Sequence, residues 1–140
     1  MQTMTEVPPR IQILCLDFDG VLHSYWSGWQ GAAVIPDPPV PGAMNFLIRA
    51  TKNFDVYIHS ARSHQWGGRR AMKKWLLLWL RQEGRAMTNR AAKHFVAQIQ
   101  FPRHKPPAHV TLDDRAVTFK GDWPAMSELK AFRPWNKRGV

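Results

Sequence analysis

One segment constrains the fold more than any other: ILCLDFDG, residues 13–20, in which an apolar run leads directly into two aspartates and a glycine. The continuous apolar stretch predicts a strand over residues 11–16 that is buried on both faces, as in a parallel sheet. Asp17 and Asp19 are two residues apart, so their side chains leave the same side of an extended chain. The strand therefore brings two carboxylates to one edge of the sheet. Because close carboxylates repel each other and lose hydration there, we expect a hard cation such as Mg²⁺ as their partner.

Further strands and helices follow in alternation along the chain. Apolar runs predict strands at 54–60, 95–101, 110–113 and 116–119, and helical periodicity predicts helices at 41–52, 69–83, 89–94 and 121–132. Residues 21–41, with glycines and a proline-rich run, are predicted to form an irregular loop, and Gly84 is predicted to cap the second helix. We therefore expect one domain over residues 1–140, an α/β sandwich with a mainly parallel sheet, an N-terminal arm at 1–10 and a loose tail at 133–140.

A second apolar strand also ends in acids. In VTLDD, residues 110–114, Asp113 and Asp114 follow the predicted fourth strand. If this strand is a parallel neighbour of the first, three or four carboxylates meet at one edge, where α/β proteins bind their ligands. So much negative charge requires a cation. The sequence therefore predicts a metal site built from distant parts of the chain.

Four motifs occur in a fixed order: LDFDGVL at 16–22, VYIHSAR at 56–62, Lys105 in FPRHKPP, and TLDD at 111–114. In type and order they resemble the motifs of the haloacid dehalogenase-like (HAD) hydrolase superfamily, over residues 11 to about 121. The resemblance implies a three-layer α/β/α Rossmann-like sandwich. It also implies a capless member with an open site, because the gap after the first motif is too short for more than a flap.

The resemblance implies a Mg²⁺-dependent phosphatase and gives roles to single residues. Asp17 would be the nucleophile that forms an aspartyl-phosphate, and Asp19 would be the general acid and base. Asp113, with help from Asp114, would hold Mg²⁺ beside the Asp17 carboxylate and the backbone carbonyl of Asp19. Gly20 would allow the tight turn after the strand.

Further residues would contact the phosphoryl group. Ser60 would hydrogen-bond a phosphoryl oxygen, and Lys105 would neutralise charge on the nucleophile and on the transferring group. Arg62 is a candidate substrate-binding residue. Arg62 or Arg103 could supply the positive charge in place of Lys105. Lys105 departs from the family pattern: it is eight residues from Asp113, whereas a parallel crossover usually takes about a dozen residues or more.

Alternatives exist for several of these residues. Asp-x-Asp-Gly also occurs in calcium-binding loops, but those need further oxygen ligands at regular spacing, which the sequence lacks. Ser60 alone could cap a helix, and Asp114 could pair with Arg115 or cap a turn. Cys15 is interpreted as a core residue, because a catalytic thiol needs a partly exposed, electropositive place. The histidines lack metal-ligand spacing, and three are interpreted as supporting or surface residues: His23, His59 and His64.

Positive charge is concentrated in one segment. The chain has 20 Lys and Arg against 10 Asp and Glu, a net charge of +10. Residues 62–105 hold eleven of the basic residues and a single acid, Glu83, whereas the rest of the chain is neutral. Such a segment predicts contact with a polyanion such as nucleic acid; the alternative is a solvated helix face. Three tryptophans on predicted loops could stack on bases or pack within the protein: Trp26, Trp29 and Trp66.

Two functions from different classes follow from these observations. The first is a phosphatase that acts on a phosphomonoester, with a nucleotide or polynucleotide end as the favoured substrate. The alternative is a polyanion-binding or nucleic-acid-binding module on the same fold with a vestigial site. The single cysteine, the lack of a signal-like N-terminus and the lack of an apolar run near the roughly 18 residues of a membrane span predict a cytoplasmic protein without membrane contact.

Overall fold

The chain forms a small parallel β-sheet with flanking α-helices, in a computed structural model that describes residues 11–83 and 86–137. The strands are β1 (Ile13–Leu16), β2 (Asp55–Ile58) and β3 (Val110–Leu112). The helices are α1 (Ala43–Asn53), α2 (Gly68–Gln82), α3 (Asn89–Ala97) and α4 (Met126–Lys130), followed by a 3-10 turn at Trp135–Lys137. This arrangement is compatible with the predicted α/β class. The predicted arm at 1–10 and the predicted cap Gly84 lie outside the described residues.

β1 is the central strand of the sheet. It pairs in parallel with β2 on one side and with β3 on the other, so that Leu14 lies opposite both Val56 and Val110. Cys15 and Leu16, whose side chains leave opposite faces, are 1% and 0% exposed, which confirms a strand buried on both faces. Because all three strands run in the same direction, their carboxyl ends lie at one edge of the sheet.

α1 and α2 each bury one apolar stripe against the sheet. The buried residues recur at spacings of three and four: Met44, Leu47 and Ile48 in α1, and Met72, Trp75, Leu76 and Leu80 in α2. Full burial of one such side chain contributes about 1.5–3 kcal/mol, so these stripes account for much of the core. Both helices confirm the predicted ones to within two residues. In the described ranges, no helix is both long enough and apolar enough to cross a bilayer.

The predicted third strand, residues 95–101, is wrong. The helix expected to end at residue 94 continues to Ala97, and the Thr88 hydroxyl caps its first turn. Helical spacing explains the difference, because one face of α3 is buried by three residues: Ala92, Phe95 and Val96. After α3, a single bridge joins Gln100 to Tyr57 of β2. The strand is thus reduced to one pair of residues.

The connection from β2 to β3 explains the short spacing between Lys105 and Asp113. This connection already contains α2 and α3, well beyond the roughly dozen residues that a parallel crossover needs. Lys105 therefore lies in the last loop of that crossover, so no further crossover is needed after it.

The chain after β3 is less regular than predicted. The fourth strand ends at Leu112, one residue earlier than expected, and residues 116–119 form no strand. Val117 and Phe119 are each 57% exposed, so burial does not reinforce their strand propensity, and the Phe119 ring packs on the Trp123 ring instead of in a sheet. The predicted fifth strand is therefore wrong.

The last helix and the tail also differ from expectation. The helix predicted at 121–132 covers only Met126–Lys130 and buries none of its residues. The tail predicted to be loose from Arg133 contains the 3-10 turn. The Trp135 indole N–H donates a hydrogen bond to the Gly20 carbonyl at 2.7 Å, which ties this segment to the first motif.

Candidate active site

The candidate site lies where the strand order of the sheet reverses. The chain passes from β1 to β2 on one side and then returns to β3 on the other side of β1. In open α/β sheets, ligands bind beyond the carboxyl ends of the strands at such a reversal, because the connections leave in opposite directions and open a crevice. Asp17 directly follows β1 and Asp113 directly follows β3, so both reach this position.

Three aspartates converge here, and we call them the acidic cluster: Asp17, Asp113 and Asp114. One carboxylate oxygen of each lies within 4.8 Å of the others. The backbone supports this approach, since the Asp17 N–H donates to the Leu112 carbonyl at 3.0 Å and extends the pairing of β1 with β3. The Arg115 N–H donates to Asp113 Oδ1 at 2.8 Å and fixes that side chain. The structure thus brings together three of the four predicted metal-binding residues.

The acidic cluster holds unbalanced negative charge. The pKa of Asp17 is raised to about 8. Burial is the main cause, and a hydrogen bond with Asp114 and the charges of Asp113 and Asp114 act in the same direction. The Phe18 N–H, which donates to Asp17 Oδ1 at 2.8 Å, offsets only part of this effect. A carboxyl group in such surroundings needs a nearby cation to be ionised at neutral pH.

The residues of the acidic cluster fit a hard divalent cation. Asp114 Oδ1 is buried and has no hydrogen-bond partner among the described residues. An orphaned buried carboxylate oxygen is costly unless a ligand satisfies it. The donor set consists of carboxylate oxygens, which are the ligands that Mg²⁺ takes from proteins. All three aspartates of the cluster would hold the cation, whose charge would stabilise a transferring phosphoryl group.

Gly20 makes room for the acidic cluster. Its φ of 84° lies in the left-handed region that favours glycine, as expected for the predicted tight turn. A Cβ at this position would collide with the Asp114 carboxylate. The missing side chain therefore allows both the turn after β1 and the approach of Asp114 to Asp17.

Asp19 belongs to a second group of polar side chains, which we call the buried network: Arg62, Asp19, His23 and Asp37. Arg62 Nε donates to both Asp19 oxygens, at 3.1 and 2.9 Å, and His23 Nδ1 lies 2.9 Å from Asp19 Oδ1. The Asp37 N–H donates to His23 Nε2 at 3.1 Å, so the ring carries its proton on Nδ1 and donates it to Asp19. These hydrogen bonds hold the Asp19 carboxylate in place, two residues after Asp17 of the acidic cluster. Its predicted role as general acid and base stays a prediction, as does the metal contact of its carbonyl.

Arg62 holds the loop beside the site. Its Nη1 donates to three carbonyls within residues 31–34, at 2.9 to 3.0 Å, and its guanidinium carbon lies 4.9 Å from the centre of the Trp29 ring. The side chain is fully buried, and Nη2 is the nitrogen left without a partner in the described ranges. Arg62 therefore positions Asp19 and the loop, and its predicted contact with substrate stays a prediction, for which the buried Nη2 is the nitrogen left over.

Ser60 and Lys105, the remaining predicted catalytic residues, differ in exposure. Ser60 is 4% exposed; its Oγ accepts the Arg62 N–H at 3.1 Å and its own N–H donates to Ser63 Oγ at 2.9 Å. Lys105 is exposed and makes no hydrogen bond or ion pair with another described residue. Burial raises the pKa of the Cys15 thiol, and the charge of Lys105 opposes this effect, so its ammonium lies near the central strand. Cys15 is a buried core residue, as predicted.

Sequence reasoning missed Asp37 as a member of the buried network and left His23 open between a supporting and a surface position. His23, interpreted above as a supporting or surface residue, is fully buried and links Asp19 to Asp37. The available signal was that Asp37 is a charged residue within an otherwise apolar proline-rich run, and that His23 follows Asp19 by four residues in an apolar segment. Both positions place a polar group where the local sequence predicts burial, and such groups need partners.

Comparisons with known proteins give no relative on which to base a function. Neither the protein-family models nor the curated proteins nor the solved structures contain a match to this chain. The functional conclusion therefore rests on the motifs and on the geometry of the acidic cluster.

Proposed function

We propose that this protein is a Mg²⁺-dependent phosphatase that hydrolyses a phosphomonoester through an aspartyl-phosphate on Asp17. The observation that carries the proposal is the convergence of Asp17, Asp113 and Asp114 within 4.8 Å at a reversal of the strand order. The motifs that resemble those of HAD hydrolases support it. A nucleotide or polynucleotide end is the favoured substrate because of the basic segment, and the one buried thiol supports a cytoplasmic location.

The chemistry gives complementary tasks to Asp17 and Asp19. First, an Asp17 oxygen attacks phosphorus, the bond from phosphorus to the leaving oxygen breaks, and Asp19, which enters this step in its protonated form, gives its proton to that oxygen. Then Asp19 takes a proton from water, the water oxygen attacks phosphorus, and the bond from phosphorus to Asp17 breaks, which releases inorganic phosphate. A bound Mg²⁺ supplies positive charge to Asp17 and to the phosphoryl oxygens. Arg62 and His23 keep Asp19 in position for both proton transfers.

The topology supports the HAD-like three-layer sandwich that the resemblance implies. Parallel crossovers are right-handed in nearly all proteins, so two crossovers that run in opposite directions place their helices on opposite faces of the sheet. The order β2-β1-β3 is of this kind, with α1 in one crossover and α2 and α3 in the other. The loop at residues 21–41, fixed by Arg62, takes the place of a cap. We infer a capless member with an open site.

Hydrolysis of p-nitrophenyl phosphate tests the proposal. Wild-type protein should release p-nitrophenol in the presence of MgCl₂ and lose this activity in EDTA. Asp17→Asn should lower kcat by about 1,000-fold or more, because it removes the nucleophile. Asp55→Asn, which changes an exposed aspartate at the other end of the sheet, is the matched control and should keep the wild-type rate.

The same assay has an outcome that counts against the proposed phosphatase. Wild-type protein that is no more active than Asp17→Asn would contradict the proposal, provided that the panel includes nucleotides, sugar phosphates and oligonucleotides phosphorylated at either end.

One observation favours the alternative, a polyanion-binding module with a vestigial site. Apart from Arg62, the nine basic residues of segment 62–105 that the structure describes form no ion pair with a described acid. Salt-sensitive affinity for nucleic acid in a protein that is inactive on every phosphate would favour this function. The presence of all the predicted acids argues for the enzyme.

A further inference from the structure

An arginine-rich cavity lies next to the candidate active site. It has a volume of about 480 Å³ and opens at the start of α2. The charged side chains that line it are all basic: Arg69, Arg70 and Arg103, with His64 beside them. Its lining therefore suits an anion.

The protein itself does not neutralise this lining. Arg70 and Arg103 are exposed and form no ion pair within the described ranges. Arg69 donates to the Phe101 carbonyl at 3.3 Å, which orients the guanidinium without cancelling its charge. The first turn of α2 also lacks an acidic residue and a side-chain cap, so its N–H groups add positive potential. A bound anion would supply the missing counter-charge.

Trp66 exposes a large ring in the same place. It is 95% exposed, more than any other large hydrophobic side chain in the described part of the chain. It lines both the arginine-rich cavity and a neighbouring cavity of about 470 Å³, which also includes Arg70 and Lys74. An exposed indole flanked by basic side chains is the arrangement on which proteins stack unpaired bases.

The basic surface continues along α2 and α3. A third cavity of about 510 Å³ shares Arg69 with the first and adds Lys73 and Lys93. One inorganic phosphate or one mononucleotide needs a single such cavity, whereas three cavities that share lining residues match a chain of phosphates. We call this surface the basic track: Trp66, Arg69, Arg70, Lys73, Lys74, Lys93 and Arg103.

The basic track adjoins the candidate active site through the turn after β2. Ser63 lines the arginine-rich cavity, and its Oγ accepts the N–H of Ser60, a predicted phosphate-binding residue. His59, which directly follows β2, lies near the backbone of Arg103. A ligand in the track therefore lies beside the end of β2, which is the neighbour of β1 at the sheet edge that carries the acidic cluster.

We propose that the basic track binds a single-stranded polynucleotide, with a base stacked on Trp66 and a terminal phosphate directed to the acidic cluster. The placement of the terminal phosphate rests on the proposed phosphatase function, whereas the binding of the strand does not. Stacking on Trp66 requires an unpaired base, and this requirement selects a single strand over a duplex.

Fluorescence anisotropy with a labelled oligothymidylate tests the binding. The probe is about 12 nucleotides long and carries no terminal phosphate, and the full chain carries Asp17→Asn so that turnover plays no part. The logarithm of the binding constant should fall with the logarithm of salt concentration with a slope of about −3, as expected for four phosphate contacts. The matching duplex should bind at least about 5-fold more weakly, because its bases cannot stack on Trp66.

Two pairs of matched variants locate the binding. Trp66→Ala should weaken binding by about 5- to 100-fold, whereas Trp123→Ala, another exposed tryptophan outside the track, should not change it. The double variant Arg70→Ala and Arg103→Ala should make the salt slope shallower by about 1. The double variant Arg81→Ala and Arg90→Ala removes the same charge from exposed positions outside the track and should leave the slope unchanged.

Several results would overturn this inference. Equal losses in the two double variants would show that net charge alone attracts the probe. Unchanged affinity in Trp66→Ala, or equal affinity for duplex and single strand, would exclude base stacking. Because the probe has no terminal phosphate to hydrolyse, these results are independent of catalysis: hydrolysis of the aryl phosphate without oligonucleotide binding would keep the proposed function and refute the basic track.

Discussion

The acidic cluster and the buried network lie at the same edge of the sheet, and each contains one aspartate of the first motif. In the buried network, Asp19 accepts hydrogen bonds from Arg62 and His23, so its charge is balanced by the protein. In the acidic cluster, Asp17 lies among further carboxylates, which raise its pKa together with burial. The same residue type, two positions apart, is therefore held by donors of the protein in one region and left open to a ligand in the other. Neighbouring charges, more than the motif itself, decide which of the two it becomes.

The largest effect is expected from breaking the buried network. Arg62→Ala leaves Asp19 without its cation and frees three loop carbonyls, so the free energy of unfolding should fall by about 3–5 kcal/mol. Arg62→Lys should restore little of this loss, because an ammonium cannot contact Asp19 and residues 31–34 together. Urea denaturation measures both changes.

The matched control for this prediction is Arg90→Ala. Arg90 is exposed and forms no ion pair in the described ranges, so its loss should change the free energy of unfolding by about 0.5 kcal/mol or less. If Arg62→Ala behaved like Arg90→Ala, the view of the network as a structural support would be wrong.

A smaller effect should follow from crowding the acidic cluster. Gly20→Ala combines backbone strain with a collision against Asp114, and we expect it to cost about 3 kcal/mol. Gly28→Ala is the control: its φ of 72° is similarly strained but nothing lies near the new Cβ, so it should cost about 1 kcal/mol. Asp114→Ala should recover part of the loss in Gly20→Ala. Equal costs for the two glycine variants would show that Asp114 is not close to Gly20.

Asp17→Asn should stabilise the protein when metal is removed. The pKa of Asp17 is about 8 in the folded protein and ordinary in the unfolded chain, so the folded state binds more protons between about pH 4 and 8. Stability therefore falls as the pH rises through this window. At pH 8.5 in EDTA, Asp17→Asn should raise the free energy of unfolding by on the order of 2 kcal/mol, and at pH 5 by much less. Thermal denaturation at both pH values measures this gain in stability. A gain that does not depend on pH would show that the charge of Asp17 does not destabilise the acidic cluster.

The smallest effect is stabilisation by a cation. MgCl₂ at ten times its dissociation constant should raise the free energy of unfolding by about 1.4 kcal/mol. Asp17→Asn and Asp113→Asn should reduce this gain, and Asp55→Asn should not. Because the pKa of Asp17 is raised, binding at pH 7 should also release a proton, which calorimetry in two buffers of different ionisation enthalpy detects. Equal stabilisation of all the variants would place the cation elsewhere.

The acidic cluster could be predicted from the sequence because it depends on a general rule. Parallel strands place their carboxyl ends at one edge, and Asp17 and Asp113 each directly follow an apolar strand. No side-chain detail is needed to infer that they meet. The apolar pattern of the sequence likewise predicts the central strand and the two long helices: a continuous apolar run indicates a strand buried on both faces, and apolar residues at helical spacing indicate a helix.

The buried network could not be predicted in this way. Arg62 contacts Asp19 and also the irregular loop at residues 21–41. The spacing of residues in this loop does not define its backbone path, so the contacts could not be inferred from the sequence. The predicted third strand failed for a related reason: Phe95 and Val96 favour a strand locally, but helical burial together with Ala92 outweighs that preference. After β3, apolar residues such as Val117 resemble a strand in sequence but remain more than half exposed.

The hydrogen bond from Trp135 to Gly20 spans 115 positions of the chain and has a consequence for synthesis. While the ribosome is still adding residues after Phe101, the first two strands and the first three helices already have each other to pack against. The crevice beside β1 lacks its other wall until the segment from Val110 to Trp135 has emerged. The newly made protein can therefore assemble its core before its acidic cluster is complete.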